Sequence, residues 1–177
     1  MPIEEVFIGI GSNLTNPVSI VRDAIVCLGK ITSSKLINCS SLYQSEPVSD
    51  IVQDDYVNAV VAIETSLQPT FLLLELQAIE HAFYRQRDPS LKAAPRTLDL
   101  DIVLYANRII DDSHLTVPHP EMHNRLFVLK PLFEIAGEIY IPGLGSLSYL
   151  IDNAPAIDMH IISEPVILAS GPGVVPG

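Results

Sequence analysis

The sequence predicts one α+β domain, and three observations carry the prediction. At 177 residues, 48% of them hydrophobic and 18% charged, the chain has the size and composition of one self-sufficient core. Segments of period-two hydrophobicity alternate with segments of helical period, joined by short turns. Neither an internal repeat nor a low-complexity linker interrupts it, so one domain is expected over 1–170, with Gly171 to Gly177 as a flexible tail.

Val6 to Ile10 reads as a short strand that Gly11-Ser12-Asn13 breaks. Asn16-Pro17 then supplies a cap residue and a proline at the first helical position. The helix carries Val18, Val21, Ile25 and Leu28 at helical spacing and ends at Gly29, where a left-handed residue is expected. Leu36 to Tyr43 and Tyr56 to Thr65 read as two strands separated by the acidic, turn-rich stretch Ser45 to Asp55. In the second, Tyr56, Asn58 and Val60 share one face, while Val57, Ala59, Val61 and Ile63 share the core face. A second helix is expected from Pro69 to Phe83, with Leu72, Leu76, Ile79 and Phe83 as its apolar stripe and Gln77, Glu80 and Tyr84 on another face. Thr97 to Tyr105 is the clearest strand, with Leu98, Leu100, Ile102 and Leu104 on one side. Residues 141–177 add little to the pattern.

Composition excludes several function classes. No apolar run is long enough to span a bilayer, and Met1-Pro2-Ile3-Glu4-Glu5 is acidic where a signal peptide is basic. Cys27 and Cys39 fit no metal-ligand or redox spacing, which agrees with a reducing, cytoplasmic setting. A formal charge of −11 disfavours nucleic acid and anionic membranes as partners. An anionic ligand therefore needs a local cationic site. No basic residue occurs from 36 to 84, and then Arg85, Arg87, Lys92 and Arg96 arrive together.

That basic run leads directly into Asp99 and Asp101, which project from one strand face with α-carbons about 6.6–7 Å apart. Like charges held so close are costly unless cations neutralise them. Oxygen ligands without His or Cys point to magnesium, whose remaining positions water and phosphates fill. A solvent-facing strand edge is the plainer alternative for the two carboxylates. The basic run weighs against it, because guanidinium forks match phosphate oxygens. Neither a P-loop nor a dinucleotide fingerprint is present, since Gly9-Ile10-Gly11-Ser12-Asn13-Leu14 lacks the third glycine.

Four segments in order, Ile10-Gly11-Ser12-Asn13-Leu14, Asp55-Tyr56-Val57-Asn58-Ala59, Pro95-Arg96-Thr97-Leu98-Asp99-Leu100-Asp101 and Val117-Pro118-His119, resemble the 6-hydroxymethyl-7,8-dihydropterin pyrophosphokinases of folate biosynthesis. The resemblance spans roughly residues 5 to 140. It implies a ferredoxin-like α+β core, an antiparallel sheet with helices packed on it. It also implies transfer of the β,γ-diphosphate of ATP to the hydroxymethyl group of the pterin, with release of AMP. Asp99 and Asp101 would hold two magnesium ions with ATP. Arg85 and Arg96 resemble catalytic, phosphate-binding arginines. Gln77, Glu80, Arg87, Lys92, Arg96, Ile102, Thr116, His119 and Arg125 resemble ATP-binding positions. Ser45, Val48, Tyr56, Asn58 and Phe127 resemble the pterin site, with Tyr56 and Phe127 stacking on the ring and Asn58 reading its edge. ATP and 6-hydroxymethyl-7,8-dihydropterin are the expected partners of a cytoplasmic monomer. The chain departs from many relatives at Ala93-Ala94, where they carry Trp-Gly, and at Glu46 and Pro120, so altered affinity with the same reaction is expected. A metal-dependent phosphohydrolase and a non-catalytic nucleotide sensor are the two rival classes.

Overall fold

A computed structural model describes residues 2–48, 52–85 and 98–165, with Arg85 described for its backbone alone. The elements run β1 (Glu4–Ser12), α1 (Pro17–Leu28), β2 (Ser34–Cys39), β3 (Leu42–Ser45), β4 (Tyr56–Thr65), α2 (Pro69–Arg85) and β5 (Leu98–Tyr105). There follow β6 (Ile110–Asp111), β7 (Thr116–Val117), a 3-10 turn (Met122–Asn124), α3 (Leu126–Ala136), β8 (Tyr140–Ile141), β9 (Gly145–Ser146), α4 (Leu147–Asn153) and β10 (Met159–Ser163).

The main sheet has the order β10-β3-β4-β1-β5, β2 also pairs with β4, and every pair is antiparallel. The path β1-α1-β2/β3-β4-α2-β5 is a ferredoxin-like α+β core. Strand β4 has apolar side chains on both faces because both faces are covered. Val57, Ala59, Val61 and Ile63 pack with Val21, Ile25, Leu28, Leu72 and Leu76 of α1 and α2. Val60 and Ala62 pack on the opposite side with Leu129 and Leu132 of α3 and Leu147 and Leu150 of α4. The sheet is therefore the middle of three layers.

Several local expectations are corrected. Strand β1 continues through Gly11 to Ser12, because both residues remain in register with β4 and β5. Asn16 precedes α1 in the left-handed conformation with no capping bond from its side chain; its carbonyl instead accepts the Ile20 N–H. Gly29 has φ −66° and ends the helix in a right-handed turn. The expected strand Leu36 to Tyr43 is two strands, because the chain breaks at Ser40-Ser41. There the Ser40 hydroxyl accepts the Val60 N–H at 2.9 Å, and the Ser41 N–H turns away to the Glu134 carboxylate. On β5, Leu104 faces α3 instead of joining Leu98, Leu100 and Ile102, since the register slips opposite Phe7/Ile8 and Val103 is the extra residue of a bulge.

The segment after residue 140, featureless in the sequence, adds a covering helix and an edge strand. Strand β10 pairs with β3 over Met159↔Ser45 to Ser163↔Leu42, and Arg22 of α1 donates to the Ser163 hydroxyl at 2.6 Å. The proposed tail at 171–177 lies outside the described residues.

Candidate active site

Directly paired residues on neighbouring antiparallel strands put their side chains on the same face. Asp99 pairs with Gly11 and Gly11 with Asn58, while Asp101 pairs with Gly9. Two aspartates, two glycines and an asparagine thus share the α3 side of the sheet. Above them opens a cleft of about 400 Å³, walled opposite by Arg125 and Phe127 at the start of α3 and by His119. The glycines are what keep this floor low. A β-carbon on Gly11 would stand 3.3 Å from Asn58 Oδ1 and 3.9 Å from Tyr56 Cδ1. Gly11→Ala is expected to keep the fold and raise the KM for a ligand on the Asn58 side about tenfold, because close misplacement is costly in a preformed site; steady-state kinetics with thermal melting checks this.

The bulge in β5 positions the histidine. The carbonyl of its extra residue, Val103, accepts the His119 N–H at 3.0 Å. Glu121 N–H donates to His119 Nδ1 at 3.1 Å, leaving Nε2 directed at Asp101, 3.9 Å from Oδ1. Burial lowers the His119 pKa; Asp101 opposes the shift and Arg125 adds to it. At neutral pH the ring is therefore uncharged, with its Nε2–H on the Asp101 side. Arg125 places Nη1 3.8 Å from Asp101 Oδ2 and holds its guanidinium 5.9 Å from the centre of the Phe127 ring.

Of the residues expected from the sequence, Asp99, Asp101, His119 and Arg125 meet Ser45, Val48, Tyr56, Asn58 and Phe127 in this one cleft. Asn58 is buried, and its amide donates to the Ser45 hydroxyl at 2.7 Å. Gln77 is exposed on α2 and Thr116 on β7, neither lining the cleft, and Ile102 is packed in the core beneath α1 and α2. Arg87, Lys92, Arg96, the Ala93-Ala94 pair and the side chain of Arg85 lie outside the described residues. Glu46, noted from the sequence as a departure from the family, lines the cleft, and sequence reading missed Gly9, Gly11, Gln53, Glu121 and Asn124, which line it too. Only the glycines left a signal: Gly9-Ile10-Gly11 in a strand puts two absent side chains on one face.

Glu80 also lies off the cleft, at the outer edge of β5, where its carboxylate accepts the Leu100 N–H at 3.1 Å. Burial first, and then repulsion from Asp99 and Asp101, raise its pKa from 4.5 to about 7 against the pull of that hydrogen bond. The folded protein thus binds this proton more tightly than the unfolded chain. The stabilisation from protonated Glu80 is complete below pH 4.5 and is lost as pH rises through about 7. In metal-free protein, Glu80→Gln should flatten the fall in stability over that window, measured as urea midpoints at successive pH values.

The donor chemistry fits magnesium. Asp99 and Asp101 offer oxygen only, and among the described residues no group of three His, Cys, Asp or Glu could enclose a metal. An ion held by two carboxylates keeps positions for water and for a substrate's phosphates, as magnesium typically does. A closed zinc site would need four protein ligands.

The family model for 7,8-dihydro-6-hydroxymethylpterin-pyrophosphokinase matches residues 7–137, which contain every wall of this cleft. The chain belongs to this family. A pyrophosphokinase of Haemophilus influenzae, named for 2-amino-4-hydroxy-6-hydroxymethyldihydropteridine, is 45% identical over 145 residues, covering 82% of this chain and 89% of the relative. The enzyme of the same name from Pseudomonas aeruginosa is 39% identical over 153 residues, covering 86% and 93%. The Plasmodium falciparum HPPK-DHPS crystal structure with pterin and p-hydroxybenzoate superposes with a TM-score of 0.65 at 13% identity. That likeness shows the fold; it covers 85% of this chain but only 43% of the longer one, so this pyrophosphokinase chain spans less than half of that protein.

Proposed function

We infer that this chain transfers the β,γ-diphosphate of ATP to the hydroxymethyl group of 6-hydroxymethyl-7,8-dihydropterin and releases AMP, a step of folate biosynthesis. The observation that carries the reading is the side-by-side placement, on one sheet face, of a paired-carboxylate site and an amide-and-aromatic slot. One suits a metal-bound polyphosphate, the other a flat ring with polar edges.

Tyr56 and Phe127 bound the slot for the ring, Asn58 meets its edge, and Ser45 and Val48 close that end. Asn58 is held for the task because its amide is already committed to Ser45, which turns its carbonyl oxygen toward Gly11 and the cleft. Asp99 and Asp101 would hold two magnesium ions with ATP, and the metal would supply charge neutralisation for the triphosphate. Arg125 and His119 flank Asp101 and meet the phosphate chain. By the family resemblance alone, Arg85, Arg87, Lys92 and Arg96 add positive charge toward the phosphates, and Gln77, Glu80, Ile102 and Thr116, which do not line the described cleft, serve the nucleoside. The acceptor oxygen bonds to the β-phosphorus, the bond to the oxygen bridging the α-phosphorus breaks, and AMP leaves with that oxygen. The acceptor's proton passes to solvent. Positioning and charge neutralisation carry the rate.

The enzyme works as a cytoplasmic monomer on two small molecules. Its acidic surface, at a formal −11, suits neither nucleic acid nor an anionic membrane, and no described helix is long and apolar enough to cross a bilayer. Product analysis tests the reaction. With ATP, magnesium and the hydroxymethyl pterin, phosphorus NMR should show AMP and a pterin diphosphate in equal amounts. ADP formation, or ATP loss that does not require the pterin, contradicts it and favours a kinase or a hydrolase.

A further inference from the structure

One carboxylate outside the cleft joins the two walls of the pterin slot. Glu134, on α3, accepts the Ser41 N–H at 2.9 and 3.1 Å, the Ser41 hydroxyl at 2.7 Å and the Tyr43 hydroxyl at 2.8 Å. Ser41 stands at the break between β2 and β3, and Tyr43 is directly opposite Asn58 in the β3–β4 ladder. Burial and Glu134 both push the Tyr43 hydroxyl pKa up, so it stays a donor. One side of this link is therefore the strand pair that carries Ser45, Tyr56 and Asn58.

The other side is the helix that carries Phe127. Residues 127 and 134 are two turns apart on one helical face, about 10.5 Å along the axis. Between them sits Pro131, inside the helix, with no N–H to return to the Phe127 carbonyl. The first turn, with Arg125 and Phe127, is thus less tightly bonded to the rest of α3 than an ordinary first turn would be. What fixes α3 relative to the sheet is its apolar packing and, at its polar end, Glu134. Apolar packing is non-directional and allows sliding, whereas a carboxylate that receives three donors from Ser41 and Tyr43 sets a register.

We propose that Glu134 is a positioning residue for the pterin: by fixing α3 on the Ser41–Tyr43 segment it sets the gap between Phe127 and the Tyr56–Asn58 wall. The proposal rests on the functional reading above and adds a residue that touches neither substrate. It acts mainly on the pterin, because Asp99 and Asp101 stand on β5, which Glu134 does not contact, and Arg125 is the one ATP-side group that shares the first turn of α3 with Phe127.

Glu134→Gln keeps the size of the side chain but replaces one acceptor oxygen by a donor facing donors. In steady-state assays, its KM for the pterin should rise about five- to tenfold, with KM for ATP and kcat within about twofold of wild type. Tyr43→Phe, which removes one donor, should move the pterin KM in the same direction by less. A pterin KM unchanged in Glu134→Gln overturns the proposal. Equal rises in both KM values overturn it as well, since they report general loosening. Should Glu134→Gln fail to fold, Tyr43→Phe carries the same comparison, and the same two results overturn the proposal. A wild-type protein that does not turn over the pterin at all overturns the functional reading itself, and the proposal with it.

Discussion

Asp101→Asn is expected to lower kcat at least about a thousandfold, roughly 4 kcal/mol of barrier, while the protein stays folded with an unchanged or slightly higher Tm. The loss is large because the amide is a poor magnesium ligand and because the same carboxylate is the one that Arg125 and His119 approach. The fold survives because Asp101 faces the cleft, with Leu100 and Ile102 on the buried side. Removing its charge also relieves repulsion on Glu80, which favours the folded state. A second readout accompanies the first. Asp101 is what opposes the lowering of the His119 pKa, so the variant's His119 should titrate still lower, as followed by NMR of the imidazole protons. Turnover within tenfold of wild type would remove Asp101 from the metal site.

Asn58→Ala is the second large effect, and it falls on the other substrate. The residue is 3% exposed and its amide is the partner of the Ser45 hydroxyl, itself 2% exposed. Alanine leaves that hydroxyl unpaired and removes the group facing the ring edge, two losses that act together when the pterin binds. A site built to hydrogen-bond a ligand discriminates strongly through such groups. The KM for the pterin should rise about a hundredfold, near 2.7 kcal/mol, with KM for ATP nearly constant. Stability should fall by about 1–3 kcal/mol, the usual cost of an unsatisfied buried polar group. Equal damage to ATP and pterin kinetics would show that Asn58 supports the strand pair rather than the ring.

The sheet was legible in the sequence wherever one side of a strand had to be apolar. Tyr56–Thr65 follows from a β-rich run bounded by turn signals and the start of β5 from alternation, and the pleat places Asn58 with Tyr56, and Asp99 with Asp101. What alternation does not encode is a change of register. The bulge at Val103 moves Leu104 to the other face, yet it is what lets the chain hand a carbonyl to His119. The break at Ser40-Ser41 is equally silent, because the partners that hold it, Val60 and Glu134, are distant in the chain, Glu134 by more than ninety residues. Strand β10 is invisible for a related reason. It is short and at the sheet's edge, with His160 and Ile161 exposed, so no buried face imposes a pattern.

The site was legible as residue types in order, not as a shape. Asp99, Asp101 and His119 stand out through their chemistry and segments, and Tyr56 and Phe127 through the family likeness. Gly9 and Gly11 matter because they lack a side chain, and in the sequence Gly11 reads as part of a turn. In the fold it is the floor between a carboxylate and an amide. Glu134 does not stand out at all, since a helix-surface glutamate looks like a solvated side chain until its three donors are placed around it.

A crystal structure of the ternary complex with magnesium, a non-hydrolysable ATP analogue and 6-hydroxymethyl-7,8-dihydropterin tests the central claim most directly. Carboxylate oxygens of both Asp99 and Asp101 should lie about 2.0–2.1 Å from magnesium. The pterin should sit between Phe127 and Tyr56 with its hydroxymethyl group directed at the β-phosphorus. Metal bound by neither aspartate, or a pterin lodged outside the slot above Gly11, would contradict it.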